Sequence, residues 1–135
     1  MFVQEITFEN FNFLSSHRAL VNISNDGKGT AILIRNNIEY SNLNLNSNGR
    51  ITSVTIVSIN FINLYAHSGS NFRKERDLLF TDEIIIHLNS TMDNVIVGDF
   101  NCIISQKDSN GVTTNISNGL KHLIDAMTWW IPNST

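Results

Sequence analysis

The spacing of apolar residues changes near the middle of this 135-residue chain, and the change restricts the folds that the chain can adopt. Before Asn71, apolar residues come in short β-branched runs, with turn pairs such as Asp26-Gly27 and Asn48-Gly49 between them. From Asn71 onwards, in NFRKERDLLFTDEIIIHL, apolar residues recur at helical spacing with charged residues between them. The pattern predicts strands first and a helix later, and therefore an α+β fold.

The predicted strands lie mainly in the first half of the chain. They span residues 2–6, 19–23, 30–34, 51–59 and 60–65, and one further strand spans residues 94–98. The turn chemistry between 19–23 and 30–34 predicts a hairpin. Residues 51–59 alternate apolar and polar side chains, which is typical of a half-buried strand, and residues 60–65 either extend that strand or pair with it.

Two helices are predicted, and each has an apolar face that we expect in the core. The apolar face of the first helix consists of Leu78, Leu79, Ile85, Ile86 and Leu88. The second helix begins behind Asn118, its predicted N-cap. Its apolar face consists of Leu120, Leu123, Ile124 and Met127.

Length and composition set broad limits on the class of protein. A chain of 135 residues suits a single domain, predicted to span residues 1–135. The formal net charge of −3 argues against a strongly basic nucleic-acid module, although it allows a local basic patch. The single cysteine predicts a reducing compartment. The sequence has neither a signal-peptide pattern nor an apolar run of membrane-spanning length, so we expect an intracellular protein without a membrane partner.

The stretch VIVGDFNC, residues 95–102, is the strongest candidate for a functional site. Its first three residues suit a strand that is buried on both faces, and Gly98 suits a bend where the backbone leaves the sheet. Asp99 and Asn101 then follow at the carboxyl end of the strand, where α/β proteins often collect catalytic groups. The same two residues equally suit an Asx-turn that only ends the strand. Cys102 could be a nucleophile or a small buried side chain.

Three further groups of residues could carry chemistry. Gln4-Glu5 lies in the first predicted strand, and Tyr65 ends the strand at residues 60–65. The RKER cluster at residues 73–76 opens the first predicted helix. Taken singly, Glu5 could be an exposed strand residue and Tyr65 a half-buried aromatic at the sheet rim. The cluster could be a solvated first turn paired with nearby acids, or it could contact nucleic-acid phosphates.

Four motifs together resemble a known family. VQEI, GTAILIR, INLYAHSGSNFRKERDLLF and VIVGDFNC, in this order, resemble the endonuclease/exonuclease/phosphatase superfamily. They are most similar to the apurinic-endonuclease-like domains of non-LTR (LINE-type) retrotransposons. The resemblance covers residues 2–108. It implies a DNase I-like β-sandwich flanked by helices, with four α/β/β/α layers and the catalytic centre at one edge of the two sheets.

The resemblance also implies a role for each matched residue. Glu5 would hold a divalent metal, Mg²⁺ with Mn²⁺ as a possibility, and Gln4 would be its polar neighbour. Tyr65 would line the scissile phosphate, Asp99 would orient or deprotonate the attacking water, and Asn101 would contact the phosphate. These residue types suit phosphodiester hydrolysis, which requires an activated water and stabilisation of the charge that develops on the phosphoryl group.

The family pattern is matched only in part, which limits the expected activity. The family has an earlier strand with an asparagine near the metal, then a Ser-Arg-Ile-Asp-like motif and an Asp-His pair near its end. None of these is matched here, so we expect an incomplete domain with exposed sheet edges. His122 lies on the second predicted helix and is not expected to replace the absent histidine, and His67 is expected to be a loop residue.

The resemblance implies a function that the partial match leaves open. Intact relatives are endonucleases that nick target DNA and leave a 3′-hydroxyl for reverse transcription. The implied partners are DNA and a reverse transcriptase domain, and a functional protein would act in the nucleus. Whether this chain is an active enzyme stays open. It could instead be an inactive relict that binds DNA or a protein, or a phosphatase of the same superfamily.

Overall fold

The computed structural model describes residues 2–7, 15–103 and 117–128. Its strands are β1 (Phe2–Thr7), β2 (His17–Ile23), β3 (Gly29–Arg35), β4 (Ser41–Leu45), β5 (Ile51–Ile56), β6 (Ile59–Tyr65) and β7 (Asp93–Asp99), and its α-helices are α1 (Arg73–Leu78) and α2 (Asn118–Thr128). The predicted α+β class is confirmed. None of the described helices is long and apolar enough to cross a membrane.

The chain divides into two compact units. The first consists of Met1–Tyr65 and Thr91–Gly98, and the second consists of Ala66–Ser90 and Asp99–Thr135. Nearly all of the described strand residues belong to the first unit, whereas both α-helices belong to the second. The chain therefore passes from the first unit to the second at the end of β6, returns after Ser90, and passes to the second unit again near the end of β7.

The strands of the first unit form two sheets. One sheet has the order β1-β2-β3 and the other has the order β4-β5-β6-β7. The pairs β1-β2, β2-β3, β4-β5 and β5-β6 are antiparallel, and β2-β3 is the predicted hairpin. In contrast, β6 and β7 run parallel, because Asn60 bonds to Asn94 at their starts and Leu64 lies against Gly98 near their ends.

The two sheets face each other across an apolar core. Leu20, Ile34 and Val54 are buried there, and Ile32, Tyr40, Leu43, Ile56 and Phe61 pack around them. Polar contacts cross the same interface. The hydroxyls of Thr30 and Thr52 lie 2.7 Å apart, and the side-chain amide of buried Asn22 donates to the Ile51 carbonyl at 2.9 Å. The two sheets are thus held by apolar packing together with specific hydrogen bonds.

The predicted strand at 51–59 is too long at its C-terminal end, and the prediction that it is half-buried is wrong. The chain turns at Val57 and Ser58, so residues 60–65 pair with β5 rather than extend it. Val57 has a φ of 58°, which lies in the left-handed region and is unfavourable for a β-branched residue. Residues 51–55 are all buried, so both faces of β5 are removed from solvent. Alternation along the sequence reports side-chain polarity, whereas burial also depends on what covers each face.

The prediction that β7 is buried on both faces is also wrong. Val95 is 38% exposed and Val97 is 51% exposed. Within the described part of the chain, β7 is the last strand of its sheet and has a neighbour on one side only. The β-branched residues of β7 are typical of a central strand, but β7 lies at the edge of the described sheet.

The first predicted helix is helical but changes its type along its length. α1 is followed by a π-helical turn at Leu79–Glu83 and a 3-10 turn at Ile84–His87. Leu79 is buried as predicted, but Leu78, Ile85 and Ile86 are exposed. The wider π turn changes the angular position of the residues that follow it, so uniform α-helical spacing fails for Ile85 and Ile86. Leu78 lies before the π turn and is exposed on α1 itself.

The second helix, α2, has a cap different from the predicted one. The backbone N–H of Leu120 donates to the Ser117 hydroxyl at 3.1 Å, so Ser117 rather than Asn118 is the N-cap. Ser117 in turn donates to the Asp77 carboxylate at 2.6 Å, and the Gly119 N–H approaches the same oxygen at 3.4 Å. The negative charge of Asp77 lies at the helix end where the peptide dipoles favour it.

The apolar face of α2 is only partly as predicted. Leu120 and Leu123 are buried, which confirms these two predictions. Ile124 is 39% exposed, and Met127 is partly buried. The buried face of the helix is therefore narrower than the apolar pattern indicates.

The turn between β5 and β6 provides a test of backbone strain. Replacing Val57 by Asn should raise the free energy of unfolding by about 1 kcal/mol, because Asn tolerates a positive φ better than a β-branched residue does. Val57 is 92% exposed, so little packing is lost. Urea unfolding would measure the change, with Val57→Ala as the control that keeps a Cβ at this position. An equal gain in both variants would contradict strain as the cause.

The cap of α2 provides a second test. Ser117→Ala should lower the free energy of unfolding by about 1 kcal/mol, because the Leu120 N–H and the Asp77 carboxylate both lose a partner. Asn118→Ala is the matched control, since Asn118 is exposed and adjacent. A larger loss for Asn118→Ala, measured by thermal or urea unfolding, would show that Asn118 is the functional cap.

Candidate active site

The candidate site begins where β7 comes closest to β6. Gly98 has a φ of 140°, and a Cβ placed on it would lie 1.9 Å from the carbonyl oxygen of Leu64. No side chain fits in that space, so only glycine permits this approach of the two backbones. The bend predicted at Gly98 is therefore required by a close contact as well as by an unusual backbone angle.

Asp99 and Asn101 form a compact turn directly after this bend. The Asn101 backbone N–H donates to Asp99 Oδ1 at 3.0 Å, which is the hydrogen bond of an Asx-turn. Asn101 has a φ of 48°, in the left-handed region that asparagine tolerates better than most residues. The predicted turn is thus confirmed. Asp99 is nevertheless exposed, so its carboxylate is accessible as well as oriented.

The same turn is tied to Ala66 by two hydrogen bonds. The Ala66 N–H donates to the Asp99 carbonyl at 2.8 Å, and the Asn101 side-chain amide donates to the Ala66 carbonyl at 2.9 Å. Ala66 itself is completely buried. Asp99 and Asn101 therefore hold both polar groups of the residue that directly follows Tyr65 in the chain.

Tyr65 is the last residue of β6 and is fixed by Arg50. The Tyr65 N–H donates to the Arg50 carbonyl at 2.8 Å, and the Arg50 guanidinium donates to the Tyr65 carbonyl at 3.0 Å. The guanidinium also lies 5.2 Å from the centre of the tyrosine ring, a cation–π distance. Sequence reasoning did not identify Arg50, because its only local signal is its position after the Asn48-Gly49 turn.

Arg76 contradicts the interpretation of the RKER cluster as a solvated first turn. It is 1% exposed, and its guanidinium Nη1 donates to the carbonyls of His67 at 2.8 Å and Gly69 at 3.1 Å. Arg73 and Lys74, by contrast, are exposed as predicted. A single cluster of basic residues thus serves two purposes, because the helix turns one cation inward and leaves the others on the surface.

Two further side chains define the surroundings of the turn. The Phe100 ring stacks on buried Phe80, with centroids 6.1 Å apart and the planes at 26°. Cys102 is partly buried, and burial raises the pKa of its thiol. A raised pKa keeps the thiol protonated, which disfavours the nucleophile interpretation and favours a packing role.

Glu5 and Gln4 lie in β1, where they pair with Leu20 and Val21 of β2. Their side chains lie outside the described part of the structure. Among the described residues, no group of three or more His, Cys, Asp and Glu side chains could hold a metal ion. Mg²⁺ commonly uses only one or two protein carboxylates and keeps several waters, so a single carboxylate is compatible with the ion in donor type and number. His122 is exposed on α2.

No protein-family model matches the chain, and no curated protein sequence matches it at a significant level. The likeness to the endonuclease/exonuclease/phosphatase superfamily remains a prediction from the four motifs. Of the predicted site residues, Asp99 and Asn101 are brought together directly. Tyr65 adjoins them in the chain through Ala66, the residue that both of them bond.

The close approach at Gly98 can be tested against a second glycine with a positive φ. Gly98→Ala should lower the free energy of unfolding by about 3 kcal/mol or more, because backbone strain and a backbone clash act together. Gly27 has a φ of 77° but open space around it, so Gly27→Ala carries the strain alone. Urea unfolding of both variants isolates the clash. Equal losses would show that the contact with Leu64 contributes nothing.

Proposed function

We propose that this chain is a metal-dependent phosphodiesterase of the DNA endonuclease class, which nicks target DNA for retrotransposition. The observation that carries the proposal is the hydrogen-bonded turn of Asp99 and Asn101 around Ala66. It combines an accessible carboxylate with an amide whose orientation is fixed. An acid and a neutral donor held side by side suit hydrolysis of a phosphodiester, whose negative charge would repel a second carboxylate.

Asp99 is assigned the role of orienting or deprotonating the attacking water. Its Oδ1 accepts the Asn101 N–H, which restricts the rotation of the carboxylate group. A carboxylate has two oxygens and about four acceptor positions, so Oδ2 can accept a hydrogen bond from water. Proton transfer to a positioned carboxylate contributes typically about 10²- to 10⁴-fold to a rate.

Asn101 is assigned the role of holding a phosphate oxygen. Its side-chain amide carries two hydrogens, and one of them is directed at the Ala66 carbonyl. That bond fixes the plane of the amide, so the second hydrogen has a defined direction. A neutral donor stabilises a phosphoryl oxygen without changing the net charge of the site.

Tyr65 is assigned a position beside the scissile phosphate, where its hydroxyl can donate a hydrogen bond. Arg50 supports this role, since it holds both the backbone and the ring of the tyrosine. Glu5 would hold Mg²⁺, with Mn²⁺ as a possible substitute. When bound, the ion would offset the charge that develops on the phosphoryl group.

We also propose a specific fold within the α+β class. A DNase I-like β-sandwich flanked by helices is supported by two sheets that share an apolar core. The proposed partners are DNA and, in an intact element, a reverse transcriptase domain. The proposed location is the nucleus.

A second candidate function is that of an inactive relict that binds DNA or a protein partner. It is favoured by the exposed apolar side chains of β7, Val95 and Val97, because apolar surface at a sheet edge suits association more than catalysis. In that case the Asx-turn of Asp99 serves only to end the strand. A phosphatase of the same superfamily would share the site residues and differ in substrate.

Plasmid nicking separates these functions. The purified chain should convert supercoiled plasmid to open circles with Mg²⁺, and Asp99→Ala and Glu5→Ala should each lower the rate by about 10²-fold or more. Asp93→Ala is the matched control, because Asp93 is an exposed aspartate at the opposite end of β7. A folded parent that fails to nick with either Mg²⁺ or Mn²⁺ would contradict the endonuclease proposal and favour the relict. Hydrolysis of small phosphomonoesters without nicking would favour the phosphatase.

A further inference from the structure

An exposed aromatic ring lies on the loop that continues from the candidate site. Phe72 is 50% exposed, and its ring lies nearly parallel to the His67 ring, with the centroids 5.9 Å apart and the planes at 21°. His67 is partly buried. The phenylalanine ring is therefore supported by the histidine and half open to solvent.

The loop that carries this pair is held from within by a buried cation. Arg76 donates to the carbonyl of His67, which carries one of the two rings, and to the carbonyl of Gly69, which lies between the two ring residues in sequence. The Phe72 N–H also approaches the Gly69 carbonyl at 3.4 Å, across a turn in which Gly69 has a φ of 88°. The position of the Phe72 ring is thus set before any ligand binds, which lowers the entropic cost of stacking on it.

The same loop is bonded to the candidate catalytic turn. It begins at Ala66, whose two backbone groups pair with Asp99 and Asn101. His67 follows directly. The aromatic pair therefore belongs to the segment that continues directly from the residue held by Asp99 and Asn101.

Two cations adjoin the aromatic ring in the chain. Arg73 and Lys74 are exposed and line a shallow cleft of about 390 Å³, together with Asp77, Leu78 and Thr81. The carboxylate of Asp77 accepts bonds from Ser117 and from the first turn of α2, and these donors offset part of its charge. The cleft therefore presents two exposed basic side chains, and the first of them directly follows Phe72 in the chain.

We propose that Phe72, supported by His67, is a stacking platform for an unpaired base of a nucleic acid, and that Arg73 and Lys74 hold the adjoining phosphates. Aromatic rings combined with basic side chains are the general means by which proteins bind single strands. The proposal rests on the proposed function and refines its substrate: the preferred DNA has a base unstacked next to the scissile phosphate.

The test measures binding of fluorescent single-stranded oligonucleotides by anisotropy, with EDTA present so that no cleavage occurs. Phe72→Ala should weaken binding roughly 5- to 100-fold, since one base stacked on an aromatic ring contributes that much. Phe72→Trp should bind at least as well as the parent. Val57→Ala is the control, because it removes an exposed apolar side chain of the first unit. Circular dichroism confirms that each variant folds.

An abasic oligonucleotide of the same length separates stacking from charge. It keeps the phosphates, so the parent should bind it as weakly as Phe72→Ala binds the normal strand, and Phe72→Ala should lose little more. Lys74→Gln should weaken binding of both strands equally. Equal loss for Phe72→Ala on both strands, no loss on either, or no binding by the folded parent would overturn the proposal.

The binding test and the nicking assay can give opposite results, so each proposal can be contradicted without the other. Suppose that the parent nicks DNA but Phe72→Ala weakens binding of normal and abasic strands equally. This result would support the endonuclease proposal and contradict the stacking platform. Coupling between Phe72 and the bases, without nicking, would support a nucleic-acid-binding relict. Capture of a protein partner that depends on Phe72, without base coupling, would assign the ring to a protein interface instead.

Discussion

The close approach of two backbones at Gly98 is the constraint on which the candidate site depends. Because Gly98 has no side chain, β7 can lie directly against the Leu64 carbonyl of β6. The next residues of both strands then come into register, and the Ala66 N–H reaches the Asp99 carbonyl. The Asn101 side-chain amide bonds the carbonyl of the same Ala66, so both backbone groups of that residue are paired with the turn.

A buried guanidinium fixes the other side of the same loop. Removing a charge from water is unfavourable by several kcal/mol, and Arg76 offsets part of this through two carbonyl acceptors. Among the described residues of the second unit, the hydrogen-bond acceptors of the Arg76 guanidinium are these two carbonyls and not a carboxylate. A carbonyl group is neutral, so these hydrogen bonds leave the charge of Arg76 uncompensated. Their main effect is to fix the backbone of residues 67–69.

The structural and functional interpretations of Asp99 and Asn101 use different atoms of the same side chains. The Asx-turn uses Asp99 Oδ1 and the backbone of Asn101, whereas catalysis would use Oδ2 and the second amide hydrogen. The turn therefore does not exclude a catalytic role. It supplies the fixed geometry that a water-orienting carboxylate requires, since orientation contributes to rate only when the group is held in place.

The sequence alone determined the features that depend on near neighbours in the chain. The hairpin between β2 and β3, the approximate positions of every strand except β4, and the presence of two helical segments are predicted correctly, because side-chain periodicity and turn chemistry act over a few residues. The position of Asp99 and Asn101 after a strand and a glycine is predicted for the same reason. Their local bond is also a property of the sequence, since an Asx-turn closes over two residues.

Only the tertiary structure decided which of these residues are buried and what they contact. Arg76 and Asp77 belong to one cluster of charges in the sequence, yet Arg76 is buried and Asp77 accepts a hydrogen bond from Ser117, the N-cap of α2, 40 residues later. Val95 and Val97 resemble residues of a central strand but lie at an edge. Burial and long-range hydrogen bonds depend on residues distant in the chain, and the free energy of a charge or an apolar group depends on those neighbours rather than on its local sequence.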